Sequence, residues 1–117
     1  MTPTPLAVLA RLEATIAARK GADPASSHTA KMLAKGPEKC ARKFAEEAVE
    51  LTLAAARGDG KETVSEAADV LYHFMVTLAS RDVALADVLA ELERREGRSG
   101  VAEKAARRTE GVRSDKG

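Results

Sequence analysis

Apolar residues return every three or four positions through Leu6, Leu9, Leu12 and Ile16, a period near 3.6 that predicts an amphipathic helix to about Arg19. Gly21 and Pro24 end it. From Gly21 to His28 the chain is a polar loop, and Ser27 or Thr29 caps a short helical turn over residues 31–34 that stops at Gly36. Pro37 opens the next helix, good helix formers carry it to about Arg57, and Gly58-Asp59-Gly60 closes it. A further helix starts near Lys61 or Glu62 and continues to about Ser80, and the short turn between the two makes them antiparallel neighbours. Val83, Leu85, Val88, Leu89 and Leu92 give one apolar face to a last helix that begins near Ala84 and reaches about Arg95. Gly97 and Gly100 then break the pattern. The organisation expected is one domain over residues 1–96 and a mildly basic tail over 97–117, frayed or partly helical from Val101 to Arg108.

Two of these helices are apolar on nearly every side. Glu50 is the only charged residue between Ala48 and Ala56, and between Ala67 and Ala79 the only ionisable residues expected near neutral pH are Asp69 and His73. A helix apolar nearly all round must be covered nearly all round. Four or five short helices cannot cover two such helices, so a second copy of the chain is expected to complete the bundle as a homodimer.

Composition supports an all-α fold. The 117 residues suffice for one core, and a chain with 3% aromatic residues and no Trp, rich in Ala and Leu, packs helices through small aliphatic side chains. A net charge of +1 provides no field to draw the molecule onto nucleic acid or an anionic membrane. Cys40 is the single cysteine, which excludes an intrachain disulfide and a thiolate metal site and suits a reducing compartment. The first ten residues hold two prolines and no basic leader, and no apolar run is long enough to span a bilayer. A cytoplasmic protein is expected.

The acids interrupt this apolar pattern. Glu46 and Glu50 lie one turn apart on a common helix face, with Glu47 three residues from Glu50; on the next helix Glu62, Glu66, Asp69 and His73 follow at steps of four, three and four. Glu50 and Glu66 have no basic residue at three or four positions away within their own helices, whereas Glu46 and Glu47 have Arg42 and Lys43. Glu50 and Asp69 sit within apolar stretches and are expected to be buried. Two carboxylates about 5 Å apart repel by roughly 3 kcal/mol at an effective dielectric near 20, so a group of them calls for a cation. An all-oxygen, carboxylate-rich site suits Mg²⁺, or Mn²⁺, better than Zn²⁺.

His73, one turn from Asp69, is open to three roles: metal ligand, proton carrier or hydrogen-bonded orienter. It is placed behind the ligands rather than among them. Lys31, Lys35, Lys39, Arg42 and Lys43 lie between the polar loop and the first acids and offer a complement to phosphate, although Lys35 and Lys39 taken singly read as an ordinary solvated face. Cys40 is a small core residue. There is no Gly-rich phosphate loop, no supported Ser-His-Asp set and no basic-aromatic platform for nucleic acid.

The pattern Glu46-Glu47-x-x-Glu50, fifteen residues, then Glu66-x-x-Asp69 resembles the metal-binding signature of the all-α, MazG-like nucleoside triphosphate pyrophosphohydrolases. Its surroundings narrow the resemblance: Ser27-His28-Thr29-Ala30-Lys31-Met32-Leu33 before Gly36, Lys43-Phe44-Ala45-Glu46-Glu47, Gly58-Asp59, and Glu66-Ala67-Ala68-Asp69-Val70-Leu71-Tyr72-His73. Over residues 5–95 these look like the phosphoribosyl-ATP pyrophosphohydrolase family of histidine biosynthesis. Three positions depart from the family pattern. His28 replaces an aromatic residue, Ala45 a frequent glycine, and Ala84 stands where a serine cap is common.

The resemblance implies a MazG-like bundle completed by dimerisation, and hydrolysis of the α–β phosphate bond of phosphoribosyl-ATP to phosphoribosyl-AMP and pyrophosphate. It implies metal ligation by Glu47, Glu50, Glu66 and Asp69, with Glu46 as a further ligand or as the base orienting water and Glu47 at the catalytic centre. Lys31 and Lys43 are expected to stabilise charge on the phosphates. The family's cyclohydrolase partner activity finds no room in this chain. Two competitors share these features: a house-cleaning nucleotide pyrophosphohydrolase with the same metal chemistry, and a non-catalytic helical dimerisation module.

Overall fold

The structure is a computed structural model and describes residues 4–96 together with Arg107. The tail expected from residue 97 lies outside the described residues apart from Arg107. Among the described residues there are five helices and no strand: α1 (Ala7–Arg19), α2 (His28–Ala34), α3 (Pro37–Arg57), α4 (Gly60–Ser80) and α5 (Leu85–Arg95). The chain divides into two compact units, Met1–Leu85 and Ala86–Gly117. None of these helices is long and apolar enough to cross a membrane.

The helix ends follow local chemistry. Ser27 caps α2 by accepting the Ala30 N–H at 3.0 Å, which starts that helix at His28, three residues before the expected Lys31. Gly36, at φ +96°, makes the sharp turn from α2 into α3, and Pro37 supplies the preset first-turn dihedral. At the far end Gly58 adopts the left-handed conformation and the Asp59 N–H returns to the Ala54 carbonyl at 3.3 Å, a Schellman closure. Asp59 then turns from loop residue to cap, accepting the Glu62 N–H at 3.0 Å and starting α4 at Gly60. The missing serine before α5 is replaced from a distance. Glu13 on α1 accepts the Leu85 N–H at 2.7 Å.

In the first unit α3 and α4 form the principal antiparallel pair, and α1 and α2 pack on it. Ile16, Met32, Cys40, Met75, Val76 and Leu85 make the core, with Leu9, Leu12, Leu33, Tyr72, Phe74 and Leu78 packed around them. Cys40 has the structural role expected of it: it is fully buried, and its thiol donates to the Met32 carbonyl at 3.2 Å. The Thr77 hydroxyl lies 2.7 Å from the His73 carbonyl and 3.3 Å from that of Cys40, fastening α4 to α3 below the acids.

One side of the α3/α4 pair stays open within the chain. Val49 (57%), Leu53 (46%), Val64 (71%) and Leu71 (46%) are exposed there. In the second unit, α5 is held within itself by Arg94 and Arg95 on Glu91, at 2.6 and 3.1 Å.

Candidate active site

Antiparallel packing of α3 and α4 brings the two acidic stripes to one place. Carboxylate oxygens of Glu47, Glu66 and Asp69 all lie within 4.8 Å of one another. Glu66 and Asp69 are three residues apart on α4 and therefore share a face, and Glu47 meets them across the helix pair. Lys43, one turn before Glu47, holds the α3 side: its ammonium is 3.3 Å from Glu47 and 3.7 Å from Glu46. The ion pairing expected for Glu46 and Glu47 thus comes from Lys43. Arg42 instead pairs with Glu38, at 3.1 Å.

The electrostatics mark Glu66 as the strained member. Burial raises its carboxyl above the usual range, and a hydrogen bond with Glu62 and the charges of Asp69, Glu47 and Glu62 push the same way. Its Oε2 atom is buried with no hydrogen-bond partner. A buried carboxylate oxygen without a donor, beside two further carboxylates, fits a divalent cation, which satisfies all three at once.

A test follows for the metal-free protein. With the folded carboxyl raised above its unfolded value, near 4.3, the native state binds the extra proton. Stability is then greatest below the unfolded pKa and falls as pH rises through the raised folded value. Glu66→Gln keeps the neutral form at every pH, so in chelator it should melt above the parent protein at pH 7 and level with it near pH 4. Thermal melts across that range check the sign.

His73 lies directly behind the acids. It is 6% exposed, burial lowers its pKa and favours the neutral imidazole, and its Nδ1 atom has no partner. Its ring meets Tyr72 edge-on with centroids 4.8 Å apart, and His28 at 6.4 Å. Tyr72 is in turn hydrogen-bonded to Thr29, so the start of α2 is tied to α4 beside the site. His28 stacks over Tyr72 with centroids 6.3 Å apart.

Two expectations about the acids are corrected. Glu50 and Asp69 are exposed, not buried. The apolar neighbours that suggested burial, Val49 and Leu53 beside Glu50 and Leu71 beside Asp69, are themselves on the open side of α3/α4. Apolar sequence there marks a face that this chain leaves uncovered. Glu50 also does not join the 4.8 Å cluster, and among the described residues neither it nor Glu66 forms an ion pair.

Glu46 is 62% exposed and held by Lys43. Lys31 is exposed on α2. Lys35, Lys39 and Arg42, by contrast, line one cleft with Lys43; the sequence grouped these four with Lys31 as a complement to phosphate, and Lys31 does not line it.

The model of the phosphoribosyl-ATP pyrophosphohydrolase family matches residues 9–96, which include all the acids and cations above. The chain belongs to this family. It is 74% identical over 102 residues to the phosphoribosyl-ATP pyrophosphatase of Dinoroseobacter shibae, covering 87% of this chain and 100% of that protein. It is 68% identical over 102 residues to the protein of that name in Ruegeria pomeroyi, covering 87% and 97%. With that of Paracoccus denitrificans it shares 66% over 100 residues, covering 86% and 93%. Family membership sets the carboxylate cluster within a segment, residues 9–96, related to pyrophosphohydrolases, and the helical-module alternative loses its ground.

Proposed function

We propose that this chain hydrolyses the α–β phosphate bond of phosphoribosyl-ATP, giving phosphoribosyl-AMP and pyrophosphate in the second step of histidine biosynthesis. The observation that carries this assignment is the Glu47, Glu66 and Asp69 cluster with its unpartnered buried oxygen, set within a segment matched by the family. Glu47, Glu66 and Asp69 would hold Mg²⁺, for which Mn²⁺ can substitute. Glu50 joins them as a fourth ligand: it shares the α3 face with Glu47, is exposed and is free to turn inward. A cation held there would supply charge neutralisation for the triphosphate and would lower the pKa of a water for attack on phosphorus.

The other side chains act around that centre. Glu46, next to Glu47 and exposed, orients the attacking water and accepts its proton or adds a further ligand. Lys43 and Lys31 stabilise charge that develops on the phosphate oxygens. His73, neutral and packed against Tyr72, fixes the α4 side of the site from behind. A second copy of the chain covers the open α3/α4 face and makes the homodimer. The lone, buried thiol of Cys40 suits the cytoplasm as the place of action.

The house-cleaning alternative uses the same chemistry on other bases, so the products separate the two. With Mg²⁺ the protein should release pyrophosphate from phosphoribosyl-ATP much faster than from dATP, dCTP or dUTP, with chelator stopping release. The reverse order of substrates would sink the assignment to histidine biosynthesis.

A further inference from the structure

Beside the carboxylate cluster lies a second charged surface of opposite sign. Met32, Lys35, Lys39, Arg42, Lys43 and Glu46 line a cleft of ≈ 190 Å³ between the end of α2 and the first turns of α3. Four of these six residues are cations and one is an acid. Arg42 and Lys43 are partly answered by Glu38, Glu46 and Glu47. Among the described residues Lys35 and Lys39 form no ion pair.

The arrangement works against helix stability. Lys39 stands in the first turn of α3, where the positive end of the helix dipole disfavours a cation. It is also three residues from Arg42 and four from Lys43, the spacings at which like charges on a helix repel. An anion in the cleft removes both costs.

The cleft's place and lining narrow the choice of anion. Lys43 borders the cleft and, through Glu47, the carboxylate cluster, so a ligand in the cleft sits one side chain from the cation site. No aromatic ring lines it, and Met32 is its one apolar side chain, which leaves a purine nothing to stack on. Side chains one helical turn apart start about 5–6 Å from one another at Cβ. Cations so spaced match two linked phosphates better than one.

We infer that the cleft formed by Lys35, Lys39, Arg42 and Lys43 is a diphosphate subsite, holding the β,γ-diphosphate of the substrate and then the free pyrophosphate that leaves. The substrate half of this inference rests on the proposed function; the affinity for free pyrophosphate does not. Lys35 and Lys39, which read singly as solvent-facing, thereby gain a binding role.

The test uses the full chain and separates the two sources of diphosphate. Calorimetric titration in chelator, with no divalent metal, should show inorganic pyrophosphate binding at least about tenfold more tightly than orthophosphate or AMP, and weakening as salt is raised. The Lys35→Ala/Lys39→Ala double variant should lose about tenfold or more of that affinity, about 1.4 kcal/mol, while Lys35→Arg/Lys39→Arg retains it. Both positions are exposed, and circular dichroism checks that the helices persist. In turnover, the alanine variant should raise KM for phosphoribosyl-ATP more than it lowers kcat and should escape inhibition by added pyrophosphate.

Absence of pyrophosphate binding, or equal binding by the double alanine variant, overturns the subsite. Loss of pyrophosphate binding with an unchanged KM overturns the substrate half alone. Pyrophosphate binding that depends on the two lysines, in a protein that leaves phosphoribosyl-ATP intact, upholds the cleft and sinks the proposed function.

Discussion

Asp69→Asn and Glu47→Gln should each lower kcat on phosphoribosyl-ATP by several orders of magnitude at saturating Mg²⁺, while the helical fold is retained. Both changes keep side-chain size and remove one charge from a cluster whose oxygens lie within 4.8 Å. On the proposed mechanism the loss is large because the cation would both neutralise charge and acidify water, and the lysines around the site can supply only the first. Stability should move the other way. Removing one negative charge relieves Glu66, whose carboxyl is raised by burial and then by its acidic neighbours, so metal-free Asp69→Asn should melt at or above the parent temperature, whereas Glu47→Gln also loses its ion pair with Lys43 and should gain less.

Mg²⁺ then distinguishes lost chemistry from lost structure. Ligand binding to the folded state stabilises it by RT ln(1 + [L]/Kd), about 2.7 kcal/mol at one hundred times Kd. The parent protein should therefore gain melting temperature with Mg²⁺ and the variants should gain much less. Glu50→Gln belongs in the same series, because Glu50 lies outside the cluster of the single chain. A loss equal to that of Asp69→Asn assigns it to the ligand set, and turnover near the parental rate removes it. Retained activity in both Asp69→Asn and Glu47→Gln would refute the site.

The residues that the sequence made legible are those whose neighbours are close along the chain. Pro37, the run of good helix formers and Gly58 set α3 over the range observed, because a helix interior and its stop signals are local. The convergence of Glu47 with Glu66 and Asp69 was legible for a related reason: two helices joined by a tight turn are antiparallel, so stripes facing each other meet. The start of α2 was missed by three residues because Ser27, one of two available caps, acts before the apolar pattern begins.

What failed was burial. Hydrophobicity around Glu50 and Asp69 says that a face is to be covered, and it carries no information on whether the cover comes from the same chain. The cation cleft was legible as a group of cations but not as a hollow. Lys35 ends α2 while Lys39 belongs to α3, and only the turn at Gly36 brings them to one hollow.

That open face carries the second large effect. Leu53→Asp combined with Leu71→Asp should convert the protein from a dimer to a folded monomer at micromolar concentration, read by sedimentation, and should abolish most activity. Val49, Leu53, Val64 and Leu71 are large apolar residues at 46–71% exposure on the α3/α4 pair. Val49 and Leu53 stand one turn apart on α3, and Val64 and Leu71 two turns apart on α4, so each pair forms a continuous stripe. Fully burying such a side chain is worth about 1.5–3 kcal/mol. In a two-fold interface every residue contributes twice, so covering the exposed part of these four side chains in both copies would favour the dimer.

The same symmetry doubles the damage. Each aspartate placed in that interface appears in both copies, and an unpaired buried charge costs several kcal/mol per ion even after relaxation. Because both leucines face solvent in the single chain, the substitutions leave the core around Ile16, Met75 and Val76 intact, and the monomer should keep its helical content. Activity should fall because Glu50, beside Val49 and Leu53, loses the cover that would turn it toward Glu47. A parent protein that sediments as a monomer would remove the dimer. A monomeric double variant with full activity would show instead that one chain carries the whole site.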